Sequence, residues 1–229
     1  MVLPVHFFNC QIMKLPTQQQ CLAYFKEYRV PKNIRQHCLK VQEVAVFLAE
    51  QLQRAGISID IGLVRSGSIL HDLFKMAGIK NPEPNQHHQV QFSPEELAMR
   101  EKLITKFPGK HETQIAYEIF KDEFPELALV LLHEGDHYFL DKSLEESLIT
   151  YADYRIFKDQ IVSLEERFAY FAAVYSIKND LWELALEHIR KVERELFASL
   201  DFAPQQLAEA LKSGQADKNL TTITTKNGP

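Results

Sequence analysis

Nine histidines are present in 229 residues, and several sit where a solvent-facing side chain is not expected. His71 and Asp72 adjoin in SGSILHDLFK, flanked by Ile69, Leu70, Leu73 and Phe74. An aspartate in such company is almost never fully buried unless it is paired or bound to a cation. Asp153 in LITYADYRIF repeats the anomaly, with Ile149 one turn before it and Ile156 one turn after. His37 follows Ile34 by three residues and precedes Val41 by four, which places its imidazole on the inward stripe of a helix. His111 opens a helix in PGKHETQIAYEIF, and His133 closes LALVLLHEG, whose unbroken apolar character implies burial. Neutral imidazole nitrogens and carboxylate oxygens are the donors that divalent first-row metals take, so this set points to metal-assisted chemistry if the side chains meet.

Each residue taken singly also has a structural explanation. An inward His37 can be a hydrogen-bonded core residue, and Asp72 can face water at a helix end. Asp153 can pair with Arg155 or Arg167. His133 can serve the carbonyls and the dipole at its helix C-terminus. Metal chemistry demands that all of them converge, and the elements must bring them together.

Those elements are helical. Thr17 with Gln20, Ser93 with Glu96, Ser143 with Glu146 and Ser163 with Glu166 each have the spacing of a capping box, and Pro94 suits a first helical position. Ile34, Cys38, Val41, Ala45, Leu48, Leu52 and Ala55 recur along one face and predict a helix over Pro31 to Ala55, ended by Gly56. Further helices are expected from about Asp60 to Lys75, Ser93 to Phe107, His111 to Glu123, Pro125 to His133, Ser143 to Gln160, Ser163 to Ile177 and Asp180 to Leu200. Ser66, Gly67 and Ser68 are small enough to let a second helix approach. Residues 76–92, with glycine and two prolines, read as a long loop. The expected organisation is one domain over residues 17–200, then a short helix after Pro204 and a flexible polar tail, together residues 201–229.

Composition excludes several classes. An apolar fraction of 45% and a charged fraction of 25% describe an ordinary globular chain. A net charge of -5 offers no general attraction to a nucleic acid polymer. The chain has no run of about 20 apolar residues that would span a membrane, and MVLPVHFFNC lacks the basic start of a secretory signal. Cys10, Cys21 and Cys38 form no CxxC pair, so a disulfide framework is not expected, and the setting expected is reducing and cytoplasmic.

The ordered strings IRQHCLKV, SILHDLFK, the intervening His111 and His133, and YADYR resemble the HD-domain superfamily of metal-dependent phosphohydrolases. That pattern is a histidine, a His-Asp doublet and a terminal aspartate, with extra histidines between them in two-metal members. The resemblance runs from about Asn33 to Arg167. It implies an all-α HD-domain helical bundle with the metal site in its core. His37, His71, Asp72 and Asp153 would make the first site, and His111 and His133 the second, with Asp72 bridging. The cofactor implied is a divalent metal (Mn, Mg, Fe, Co, Ni or Zn), as one ion or two. HDLFK lacks the glycine of the cyclic-dinucleotide branch and no GYP string follows His133, so cyclic di-GMP is discounted as substrate.

The activity implied is hydrolysis of a phosphate ester or anhydride of a small phosphorylated metabolite, with a nucleotide the favoured class and a homo-oligomer left open. Asp72 would orient the attacking water. Lys75, on the same side of the helix as His71 and Asp72, would contact substrate phosphate, with His87, His88 and Arg167 as further substrate contacts. Glu112, Glu134, Asp136 and His137 are candidates to orient the imidazoles. Two alternatives stand beside this: a metal- and nucleotide-binding sensor without turnover, and a di-iron oxygenase of the same fold.

Overall fold

The computed structural model describes residues 14–84, 90–134, 141–174 and 179–214. Among the described residues the main α-helices are α1 (Gln18–Glu27), α2 (Lys32–Arg54), α3 (Ile61–Leu70), α4 (Lys75–Gly78), α5 (Pro94–Lys106), α6 (Glu112–Phe120), α7 (Pro125–His133), α8 (Leu144–Tyr154), α9 (Leu164–Val174) and α10 (Asn179–Phe197). The one sheet among the described residues is a two-stranded hairpin of β1 (Ile156–Phe157) and β2 (Gln160–Ile161). The all-α class expected from the capping pattern is therefore observed.

All four anticipated capping boxes form. Thr17, Ser93 and Ser143 each accept a hydrogen bond from the backbone three residues on, and Gln20, Glu96 and Glu146 reach back to the cap. Ser163 and Glu166 do the same at α9. Pro94 occupies the first turn of α5, where its missing N–H removes no helical bond.

α2 is the central element and packs against both α3 and α8. It buries Ile34, Cys38, Val41, Ala45, Leu48 and Leu52 on the expected stripe, and Val44, Phe47 and Ala49 widen that stripe because neighbours lie on two sides. Ala55, expected on the same face, is exposed at the helix end. α3 lies against α8 at Gly67, where an added Cβ would stand 2.6 Å from Ile149 Cδ1 and 3.2 Å from Val130 Cγ1 of α7. The starts of α3 and α8 are tied as well, since the Asp60 backbone N–H donates to Glu145 Oε1 at 2.8 Å. α2, α3 and α8 thus form one rigid wedge, with α7 and α6 stacked beside it.

Three expectations about boundaries are corrected. The helix expected from Asp60 to Lys75 stops at Leu70, and His71 to Phe74 form tight turns. Here Leu73 N–H bonds Leu70 O at 3.0 Å and Lys75 N–H bonds Asp72 O at 3.1 Å, the shorter spacing of a 3₁₀ turn. The chain then re-enters a helix as α4, which occupies the first residues of the predicted 76–92 loop. Second, the helix expected from Ser143 to Gln160 ends at Tyr154. Arg155 turns its backbone to pair with Val162, and Lys158 takes a positive φ of 60° at the hairpin tip. Third, His111 is not the first helical residue of its segment but the cap that precedes it.

After α10, residues 204–206 form a 3₁₀ turn and residues 207–214 are helical, as expected after Pro204. Leu207 and Leu211 are buried, so this segment closes the core. The tail expected beyond it, residues 215–229, lies outside the described residues.

Candidate metal centre

His37 comes from the second turn of α2, His71 and Asp72 from the turn after α3, and Asp153 from the last turn of α8. The wedge of three helices therefore points all four side chains at one place. His37 Nε2 and Asp153 Oδ1 are 2.7 Å apart, and the His37 and His71 rings lie 5.4 Å between centroids. His71 Nε2 is 3.6 Å from Asp153 Oδ1 and 3.9 Å from Asp72 Oδ2. Donor atoms of His37, His71 and Asp72 all fall within 4.8 Å of one another, a cluster able to hold a metal ion.

His71 defines the centre most sharply. Its Nδ1–H donates to the Ser68 carbonyl at 2.8 Å, a backbone acceptor offered where α3 ends. That bond holds a proton on Nδ1 and leaves Nε2 pointing inward, the atom that a proton or a cation would take. Nε2 is buried and has no hydrogen-bond partner, 3.6 Å being too long for one to Asp153. Burial by itself would disfavour a proton there, but Asp72 and Asp153 outweigh it and push the His71 pKa up to about 9. A nitrogen that attracts a proton so strongly lies in a field that attracts a cation. Asp153, despite its burial, is held well below the usual carboxylate range by His37 and His71. Asp72 is lowered too: burial opposes ionisation, and Lys75 with His71 outweighs it.

Beside this cluster opens a cavity of about 170 Å³ lined by His71, Asp72, Lys75, His111, Glu112, Thr113, Glu134, Asp153 and Tyr154. Lys75 Nζ sits 3.3 Å from Asp72 Oδ1 and 3.5 Å from Glu112 Oε1. Two carboxylates raise the Lys75 pKa despite burial, so it is an ammonium at any working pH. Glu134 accepts a hydrogen bond from Thr150 Oγ1 at 3.0 Å, and burial raises its pKa.

The remaining sequence-predicted residues are placed unevenly. His111 lines the cavity, but its Nδ1 caps α6, 2.9 Å from Thr113 Oγ1 and accepting from Thr113 N–H at 3.4 Å. A neutral ring that accepts at Nδ1 carries its proton on Nε2, here 3.4 Å from Glu112 Oε2. Ligation through Nε2 would need the other tautomer, with Nδ1 donating to the Thr113 hydroxyl. His133 is not among the cavity-lining residues; its Nδ1 lies 2.6 Å from Glu146 Oε1, and its neighbour Glu134 takes the place at the wall. Arg167, expected at substrate or paired with an acid, is also away from the cavity lining. Its guanidinium stacks 4.3 Å from the Phe171 ring centroid, with Phe157 and Tyr170 nearby. His87, His88, Asp136 and His137 lie outside the described residues. Tyr154 and Thr113 were not anticipated; the signal was adjacency, to Asp153 in one case and to the His111–Glu112 pair in the other.

Comparison with known proteins agrees with this arrangement. The HD domain family model matches residues 34–158, from the turn before His37 to just past Asp153. The chain belongs to the HD domain family. An uncharacterized protein of Methanocaldococcus jannaschii is 32% identical over 136 residues, covering 59% of this chain and 73% of that relative. No solved structure matches the chain significantly. No helix among the described residues is long and apolar enough to cross a membrane.

Proposed function

We propose that this protein is a metal-dependent phosphohydrolase that cleaves a phosphate ester or anhydride of a small phosphorylated metabolite, a nucleotide being the favoured class. The observation that carries the reading is the buried, unpartnered Nε2 of His71, set in a cluster with donor atoms of His37 and Asp72, with Asp153 Oδ1 3.6 Å away. The donor set of two imidazoles and two carboxylates fits a divalent first-row cation. When bound, such a cation supplies acidification of an attacking water and neutralisation of phosphoryl charge.

The charge of the cavity supports the need for it. Asp72, Glu112, Glu134 and Asp153 line the space against one lysine, Lys75, so a phosphate would meet repulsion unless a cation entered with it. The residues then divide the work. His71, locked by Ser68, and His37 would offer nitrogens, and Asp153 and Asp72 oxygens, the His37–Asp153 contact giving way when a cation is held. Asp72 accepts a hydrogen bond from the attacking water and orients it toward phosphorus. Lys75 donates to a phosphoryl oxygen as a point charge. Tyr154 and Thr113 complete the wall. His111 and His133 would hold a second cation, with Asp72 shared between the two sites, as part of the same proposal.

Metal analysis of untreated protein, joined to a turnover screen of phosphorylated metabolites and repeated with Asp72→Ala, tests the reading. The wild type is expected to carry metal and turn over at least one substrate, and the variant to lose both. Turnover retained by Asp72→Ala would overturn the mechanism. Tight nucleotide binding without turnover under manganese, magnesium, cobalt and iron would favour a sensor, and oxygen uptake an oxygenase.

A further inference from the structure

Glu112 is a carboxylate at the cavity wall whose position has a cost. It stands in the first turn of α6, where a negative charge is favoured, but its side chain is nearly buried and passes over Gly78 of α4. A Cβ at residue 78 would lie 1.7 Å from Glu112 Oε2 and 2.6 Å from its Cδ. Only glycine leaves room for the carboxylate there. Its Oε1 then reaches Lys75 at 3.5 Å, while Asp72 reaches the same ammonium from the other side at 3.3 Å.

Lys75 and a cation compete for Asp72, because both are positive and both need its oxygens. With Asp72 as its one partner, Lys75 would close on it and oppose cation entry. A second carboxylate at nearly the same distance removes that obligation. We infer that Glu112 is a positioning residue that draws the Lys75 ammonium off Asp72 when a cation binds, and that Gly78 is the space that admits it. This rests on the reading of His37, His71, Asp72 and Asp153 as the cation site. Glu112 acts on the cation chiefly through Lys75, so most of its contribution is lost when Lys75 carries no charge.

The test is a double-mutant cycle on manganese affinity, measured by titration calorimetry on the metal-stripped full chain, with thermal melts to verify folding. Glu112→Gln keeps the size of the side chain and is expected to weaken manganese binding by roughly tenfold, the equivalent of one charge-assisted contact. Gly78→Ala should do the same by displacing Glu112, although alanine is the better helix former. In a Lys75→Met background, Glu112→Gln is expected to change the affinity by less than about twofold, the sign of an effect routed through Lys75. An equal loss in both backgrounds would overturn the inference, because Glu112 would then act on the cation directly. Unchanged affinity in Glu112→Gln alone would overturn it as well, leaving the cation site intact. Wild-type protein that binds no manganese would sink the cation site itself and this role with it.

Discussion

His71 and His111 each give Nδ1 to a local partner and line the cavity, yet they are not equivalent. The Ser68 carbonyl can only accept, so it forces the proton onto Nδ1 of His71 and bares Nε2. At His111 the Thr113 N–H can only donate, so capping leaves the proton on Nε2. His111→Asn separates its two possible roles, since asparagine caps a helix as well as any residue. Its melting temperature is expected to stay within roughly 2 °C of wild type. Metal analysis should show the first cation retained on His37, His71, Asp72 and Asp153, with a second one lost. Loss of the first cation would contradict the separation of the two positions.

At the scale of elements, the site depends on how closely α3 and α8 approach. Gly67 permits that contact, with Ile149 and Val130 already filling the space a side chain would need. Gly67→Val is expected to destabilise by about 1–3 kcal/mol through overpacking, read from urea denaturation. Because His71 and Asp153 sit at the ends of these same two helices, the variant should also bind manganese more weakly. A variant that lost stability but kept full metal affinity would show that the turn after Leu70 holds its geometry independently of the helix contact. That turn is itself an element-scale device: the break after Leu70 lets His71, Asp72 and Lys75 face one cavity.

At the scale of the whole molecule, Arg155 joins the site-bearing half to the C-terminal half. Its guanidinium donates to the Val162 carbonyl at 2.6 Å, to the Tyr151 hydroxyl, to Glu193 of α10 at 3.1 Å and to the Pro204 carbonyl at 3.0 Å. It is buried, and its removal would strand two carbonyls and leave Glu193 with only the Tyr151 hydroxyl. Arg155→Ala is expected to cost about 1–3 kcal/mol, the range for leaving buried hydrogen-bonding groups unsatisfied, as a drop in the urea midpoint. A loss under about 1 kcal/mol would mean that α10 docks through its apolar face alone. That face is substantial: Ala185, Ile189, Val192 and Leu196 are all buried.

The helical class, the four capping boxes and the buried stripe of α2 were legible in the sequence because they are local: each depends on residues three or four apart. The meeting of His37, His71, Asp72 and Asp153 was legible only as an ordered set of misplaced polar residues, and HD domain membership accounts for that order. The break after Leu70 was hidden because SGSILHDLFK has no proline and an unbroken apolar rhythm. At the break the His71 ring takes the Ser68 carbonyl and Asp72 turns toward Lys75, side-chain contacts that an apolar rhythm does not reveal. Nothing local placed Glu134 at the cavity wall, whereas the rings around Arg167 include Tyr170 and Phe171, three and four residues further along α9. Periodicity tells which side of a helix faces inward. Which inward residue reaches a cavity and which finds a neighbour depends on distances between helices, and only packing sets those.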